Sequence, residues 1–152
     1  MMSDIRPAQR EDLAAVEALI AAAYTQYIPL IGQRPGPMGD DYSALIEKRC
    51  VYVLSSENKL AGMLVLLPED EAMLLDNVAV HPDMQGRGYG RALIAFAEML
   101  SIERGFKAIR LYTNEVMIEN VRLYERLGFV ETHRAEEKGF RRIYMTKPLV
   151  RS

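Results

Sequence analysis

The run Gln85-Gly86-Arg87-Gly88-Tyr89-Gly90-Arg91 sets three glycines at alternate positions among two arginines. Glycines spaced this way let the backbone take conformations that a Cβ forbids, and let a ligand approach the main chain. The apolar stretch Leu75 to Val80 precedes the run, and helical spacing begins directly after it. Exposed N–H groups feeding the positive end of a helix make an anion site, to which Arg87 and Arg91 can add charge-assisted bonds. The ligand expected there carries phosphate. A P-loop is excluded, because it needs Lys and then Ser or Thr after its last glycine, where Arg91-Ala92 stands. A dinucleotide fingerprint needs Gly-x-Gly-x-x-Gly. Read from Gly86 or from Gly88, its third glycine position holds Arg91 or Leu93. It also asks for an acidic residue about twenty positions further on, where the neutral run Leu111-Tyr112-Thr113-Asn114 stands.

The surrounding elements follow from periodicity. Asp4-Ile5-Arg6 reads as a short strand broken by Pro7. Leu13, Val16, Leu19, Ile20 and Ala23 predict a helix over Gln9 to Tyr24. Ile28 to Asp41 holds Pro29, Gly32, Pro35, Gly36, Pro37 and Gly39, so no regular structure is expected there. Loops of that kind in a small domain are often functional, and Tyr24, Tyr27 and Arg34 lie in or beside this one. A second helix is expected over Tyr42 to Lys48. Cys50 to Ser55 and Leu60 to Leu67 form a hairpin about Asn58, Pro68-Glu69-Asp70 turns, and Ala72 to Val80 is the central strand. Gly88 to Arg104 is a long helix presenting Leu93, Phe96, Ala97 and Leu100 to the sheet, and Gly105 ends it. With Ala108 to Tyr112 as the next strand, strand–helix–strand implies a right-handed parallel crossover. A helix over Met117 to Leu127, capped by Gly128, leads to two strands, Phe129 to Thr132 and Arg141 to Met145.

Composition bounds the rest. The 152 residues fit a single domain spanning 1–152, and 49% apolar with 26% charged residues is an ordinary globular balance. A net charge of −2 gives no bulk attraction to nucleic acid or to an anionic membrane. Cys50 has no disulfide partner, and the absence of a Cys/His cluster argues against a bound metal. No signal-peptide pattern is seen, and apolar runs such as Leu60 to Leu67 are too short to span a bilayer. A cytoplasmic protein is expected.

Gln85-x-x-Gly88-x-Gly90 resembles the acyl-CoA signature Gln/Arg-x-x-Gly-x-Gly/Ala of the GNAT superfamily of N-acetyltransferases. The segment Asn120-Val121-Arg122-Leu123-Tyr124-Glu125-Arg126-Leu127-Gly128-Phe129 resembles that family's closing helix, with its Tyr and its Leu-Gly-Phe ending. The resemblance runs from about Ile5 to Leu149. It implies an α/β fold of the α+β type: a mixed, mostly antiparallel sheet of about seven strands with helices on both faces. It also implies acetyl-CoA as cosubstrate. The acceptor would be a primary amine, of a small molecule or of a protein or peptide, attacking directly in a ternary complex.

The resemblance further implies roles for individual residues. Gln85, Gly86, Arg87, Gly88, Tyr89, Gly90 and Arg91 would hold the pyrophosphate. The strand Val78-Ala79-Val80 would splay from its parallel neighbour and pair its main chain with the pantetheine arm, the Val78 N–H facing the thioester oxygen. Tyr124 would protonate the departing thiolate, since a phenol's reference pKa of about 10 lies near that of an alkyl thiol. Its helical face, shared with Val121 and Leu127, suits packing as well. Asn120, one turn earlier, suits either a contact to the CoA arm or an exposed helix start. Asp76 is the candidate general base, acting directly or through water. An ordered water alone, a residue of the neighbouring strand (where Tyr112 stands), and no base at all stay open.

Tyr24, Tyr27 and Arg34, with Tyr144, are expected around the acceptor, and Arg34 suits a carboxylate there. Asn77 points to the face opposite Asp76. His81 and His133 read as loop and solvated residues, and Cys50 as a small buried hydrophobe. A homodimer is an open expectation. Two other classes compete: a non-catalytic acyl-CoA-binding regulatory or scaffold domain, and a nucleotide-binding regulator.

Overall fold

A computed structural model describes residues 4–150. Seven strands form one mixed sheet: β1 (Asp4–Pro7), β2 (Val51–Ser56), β3 (Lys59–Glu69), β4 (Ala72–Val80), β5 (Ala108–Asn114), β6 (Val130–Glu137) and β7 (Phe140–Pro148). Their order across the sheet is β1-β2-β3-β4-β5-β7-β6. Neighbours run antiparallel in the pairs β1–β2, β2–β3, β5–β7 and β6–β7, whereas β4 and β5 are parallel. Five α-helices accompany it among the described residues: α1 (Leu13–Tyr24), α2 (Ile28–Ile31), α3 (Tyr42–Glu47), α4 (Tyr89–Glu103) and α5 (Ile118–Arg126). The expected mixed α/β sheet is therefore present.

The chain clusters into two compact units. The first runs to Leu66 and takes in Asn77–Ala97. Its core is built from Val16, Leu19 and Ile20 of α1, Val51, Val53 and Leu54 of β2, Met63 and Leu64 of β3, and Leu93 and Ile94 of α4. The β2–β3 hairpin turns through Glu57 and Asn58, both at positive φ, a geometry matched to the twist of two antiparallel strands. Gly62 lets α4 come close to β3. A Cβ there would stand 2.8 Å from Cδ1 of Leu93 and 3.0 Å from the carbonyl oxygen of Ala79.

The second unit is Leu67–Asp76 with the chain from Glu98 onward. Met73, Leu75, Ile109, Leu111, Ile143 and Met145 alternate inward from β4, β5 and β7 to make its core. At the end of α5 the N–H of Phe129 returns to the Tyr124 carbonyl at 3.0 Å, and Gly128 takes φ 97°, as a left-handed helix end requires. Lys147 of β7 pairs with Glu98 of α4 at 2.7 Å.

Four sequence expectations are corrected. The segment 28–41 is not wholly irregular: α2 forms because Pro29 sits in the first turn, where its missing N–H costs nothing. Gly32 ends α2 at φ 86°, and a short 3-10 turn follows at Gly36–Gly39. β3 runs through Pro68 to Glu69, so the turn falls at Asp70 and Glu71. β6 and β7 extend well past Thr132 and Met145 because they pair with each other along their length, which period-two patterning on an exposed edge cannot signal. Finally, helical turns continue from Arg10 to Ile31, long and apolar enough by length and composition to cross a membrane. Contiguous apolar runs did not show this, and α1 buries Val16, Leu19, Ile20, Ala23 and Tyr24 within the first unit.

Candidate active site

β4 delivers the chain into the glycine run. After Val80, the His81 N–H bonds the Ala61 carbonyl at 2.8 Å, and a 3-10 turn over Pro82–Met84 redirects the backbone. Gly86 and Gly88 take φ 81° and 84°, and the space where a Cβ would stand is open at both. Gly90 differs from the expectation, because it lies inside α4 without positive φ.

The first intrahelical bond runs from the Ala92 N–H to the Gly88 carbonyl at 3.0 Å. Upstream of it, the N–H groups of Gly88, Tyr89, Gly90 and Arg91 meet no acceptor among the described residues. These are the orphan donors at the positive end of a fifteen-residue helix. Gln85, Arg87 and Arg91 are exposed, and their side chains have no hydrogen bond or ion pair among the described residues. Tyr89 alone is engaged, its hydroxyl 2.7 Å from Ser56 Oγ. Open donors of this kind at a helix start suit an anion.

Burial alternates without a break from Met73 to Val80: Asn77 and Ala79 are buried, whereas Asp76, Val78 and Val80 are half-buried. Because His81 addresses β3, the same alternation turns the N–H groups of Val78 and Val80 to the opposite edge of β4. Parallel pairing with β5 ends at Leu75↔Leu111, while β4 continues to Val80. The Tyr24 hydroxyl oxygen lies 3.3 Å from the Val78 carbonyl oxygen. Tyr24 is itself buried and donates to Asn77, so its hydroxyl supports β4. Tyr27 lies 6.5 Å from it, ring to ring, and Arg34 donates to the Met38 carbonyl at 3.2 Å.

Within the second unit, Asp76 Oδ1 accepts from the Tyr112 hydroxyl at 3.1 Å. Burial pushes the Asp76 carboxyl above the ordinary aspartate range, opposed by the Tyr112 bond and by the charge of Arg142. The Arg142 guanidinium lies 4.4 Å from the centre of the Tyr112 ring and donates to Glu137 at 3.2 Å. Glu137 also accepts from Tyr144, whose ring stacks on His133 at 4.4 Å. Arg142 and Glu137 were missed by sequence reading. The β5–β7 register, with Asn114 opposite Arg142 and Tyr112 opposite Tyr144, brings Arg142 beside Asp76's partner, and the β6–β7 register, with Glu137 opposite Phe140, brings Glu137 near it.

Tyr124 is 5% exposed, edge-on to Phe129 at 5.9 Å. Burial pushes its pKa far above the ordinary phenol value, so it keeps its proton, and the expected match to an alkyl thiol is not retained. Asn120 is half-buried one turn earlier, with its N–H on the Met117 carbonyl at 3.1 Å. His81 Nδ1 accepts from the Asp83 N–H at 3.1 Å, and His133 is exposed. Cys50 is half-exposed just before β2, rather than buried. Tyr24, Tyr27, Arg34, Val78–Val80 and Gln85–Arg91 thus fall in the first unit, and Asp76, Asn120 and Tyr124 in the second. No group of three or more His, Cys, Asp or Glu residues suited to a metal occurs among the described residues.

A strand leading through a glycine turn into a helix whose first amides are open, in a mixed seven-stranded sheet, is the arrangement that the sequence resemblance implied. The family model for the acetyltransferase (GNAT) domain matches residues 47–131, and the chain belongs to that family. N-acetyltransferase 8B of Homo sapiens is 28% identical over 89 residues, which is 55% of this chain and 39% of that protein. Mycothiol acetyltransferase of Cellulomonas flavigena is 38% identical over 65 residues, 43% of this chain and 19% of that one. The chain therefore spans well under half the length of both relatives. Among solved structures, the ribosomal-protein-S18-alanine N-acetyltransferase from Escherichia coli superposes with a TM-score of 0.80 at 22% identity, covering 99% of this chain and 96% of that one. PaiA N-acetyltransferase from Thermoplasma acidophilum, solved in complex with coenzyme A, gives 0.76 at 17% identity, covering 97% and 99%.

Proposed function

We propose that the protein transfers an acetyl group from acetyl-CoA directly to a primary amine, of a small molecule or of a peptide. The observation that carries this reading is the set of open N–H groups from Gly88 to Arg91, beside two unpaired arginines at the start of α4. They suit the diphosphate of CoA, with Gln85 and Gly86 shaping the approach. The pantetheine arm then lies along the edge of β4 as an added strand, bonded by the main chain of Val78 and Val80. Asn120 supports the arm.

In the reaction, Asp76 takes a proton from the acceptor ammonium through Oδ2, because Oδ1 is held by Tyr112. The freed amine lone pair forms the C–N bond at the thioester carbon, and the Val78 N–H stabilises the charge that grows on the carbonyl oxygen. The tetrahedral intermediate collapses with cleavage of the C–S bond, and the second proton shed by the nitrogen restores the Tyr124 phenol once it has protonated the thiolate. Tyr124, still carrying its proton, passes it to the departing thiolate. Tyr24, Tyr27 and Arg34 border the acceptor.

Thiol titration during incubation with acetyl-CoA and a panel of amines tests the reading. Release of thiol that requires both an amine and the protein is the expected result. Tight acetyl-CoA binding with no thiol above background for any amine would replace the enzyme by an acyl-CoA-binding module.

A further inference from the structure

Asn77 is 5% exposed in the middle of β4, on the face where Met73, Leu75 and Ala79 are also buried. Its Oδ1 accepts from the hydroxyl of Tyr24, at the end of α1, and its Nδ2 donates to the hydroxyl oxygen of Tyr42, at the start of α3, at 3.1 Å. Tyr42 donates in turn to the Pro37 carbonyl at 2.6 Å, while the Tyr24 hydroxyl also faces the Val78 carbonyl at 3.3 Å. Both tyrosines are buried. Pro37 lies in the turn Gly36–Gly39, which Arg34 grips from within the same segment through the Met38 carbonyl.

The direction of each bond is fixed by chemistry. An amide nitrogen only donates, so the Tyr42 oxygen receives at Asn77 and its own proton goes to Pro37. The amide oxygen only accepts, so the Tyr24 proton goes to it. Replacing either tyrosine by phenylalanine takes a hydrogen-bond partner from the buried Asn77 amide. An apolar side chain at 77 would fill the same core position without such dependence. The polar wiring therefore fixes geometry more than it adds stability.

We propose that Asn77 is a positioning residue that couples the segment 34–41 to the Val78 peptide. An acceptor seated on that segment and a thioester laid along β4 are then registered by one buried network. The functional part rests on the acetyl-transfer reading; the coupling itself does not.

Hydrogen–deuterium exchange on the full chain, with and without CoA, tests the coupling in Tyr42→Phe, Tyr24→Phe and Asn77→Leu. Each phenylalanine variant keeps its ring, so folding is retained if Asn77→Leu fails. Tyr42→Phe is expected to speed exchange about tenfold, the worth of one hydrogen bond, in 34–41 and also at 77–80. Tyr24→Phe should produce the same pair of changes from the other end. Faster exchange confined to 34–41 in Tyr42→Phe, with 77–80 at the wild-type rate, overturns the proposal. With an amine that supports thiol release, either variant should lower kcat about tenfold while the acetyl-CoA KM stays within about twofold, and the double variant should be no slower than the singles. Losses that multiply overturn the coupling. Calorimetry with CoA separates the failures: no CoA binding sinks acetyl transfer whatever the exchange shows, and CoA binding with uncoupled exchange sinks only the role of Asn77.

Discussion

The Tyr112 hydroxyl donates to Asp76 Oδ1 at 3.1 Å, joining β5 to β4 one residue past the last parallel backbone pair, Leu75↔Leu111. The bond favours the charged carboxylate while burial disfavours it, and burial wins. Removing the bond by Tyr112→Phe should push the Asp76 carboxyl higher still. The acid limb of the kcat/KM profile should then move to higher pH, by up to about one unit for a single neutral hydrogen bond. An unmoved limb would remove Asp76 as the base.

Asp76→Asn should separate activity from stability. A carboxyl raised in the folded state binds its proton more readily there than in the unfolded chain. Its favourable contribution is full below the unfolded aspartate value of about 3.9 and is lost as pH rises through the folded value. At neutral pH the ionised, half-buried group therefore works against folding. The asparagine variant should melt at the wild-type temperature or above, while losing about 100-fold or more in turnover. Thermal melts at pH 7 beside thiol-release rates check both.

Tyr124→Phe removes the phenol hydroxyl and keeps the edge contact with Phe129. Stability should stay within about 0.5 kcal/mol. Turnover should fall about 100-fold, with CoA affinity near wild type, if the phenol supplies the thiolate's proton. Urea titration, calorimetry and steady-state rates together distinguish this from a packing role.

Gly88→Asp places a negative side chain, in a left-handed conformation, beside the open amides of α4. CoA affinity should drop by more than about tenfold through repulsion at close range. Arg87→Ala with Arg91→Ala should weaken binding less, and should flatten its dependence on ionic strength, because both arginines are exposed and screened by salt. Calorimetry at two salt concentrations measures both effects.

Gly62→Ala is a stability probe away from the reacting groups. The new methyl would meet Leu93 Cδ1 at 2.8 Å and the Ala79 carbonyl at 3.0 Å, and backbone is the less able of the two to move. A loss of about 1–3 kcal/mol is expected on urea unfolding, as for overpacking elsewhere.

The glycine–arginine run, the helix after it and the parallel crossover were legible in the sequence because each is a local fact. Two glycines stand at positive φ, the helix begins where apolar spacing begins, and short-range geometry decides where amides stay open. The same holds for Tyr124 ahead of its Leu-Gly-Phe helix end. The segment 28–41 was harder, because prolines and glycines that break long helices are compatible with the short turns found there. Neither network around β4 could be read in advance. Tyr24–Asn77 and Tyr112–Asp76 join residues 53 and 36 positions apart. Strand register and helix docking choose such partners, and nothing in the neighbouring residues announces them. Sequence alone determined that a glycine-rich turn would run into a helix start with open amides; packing across the sheet decided which carboxylate is buried and which amide ties the loop to the strand.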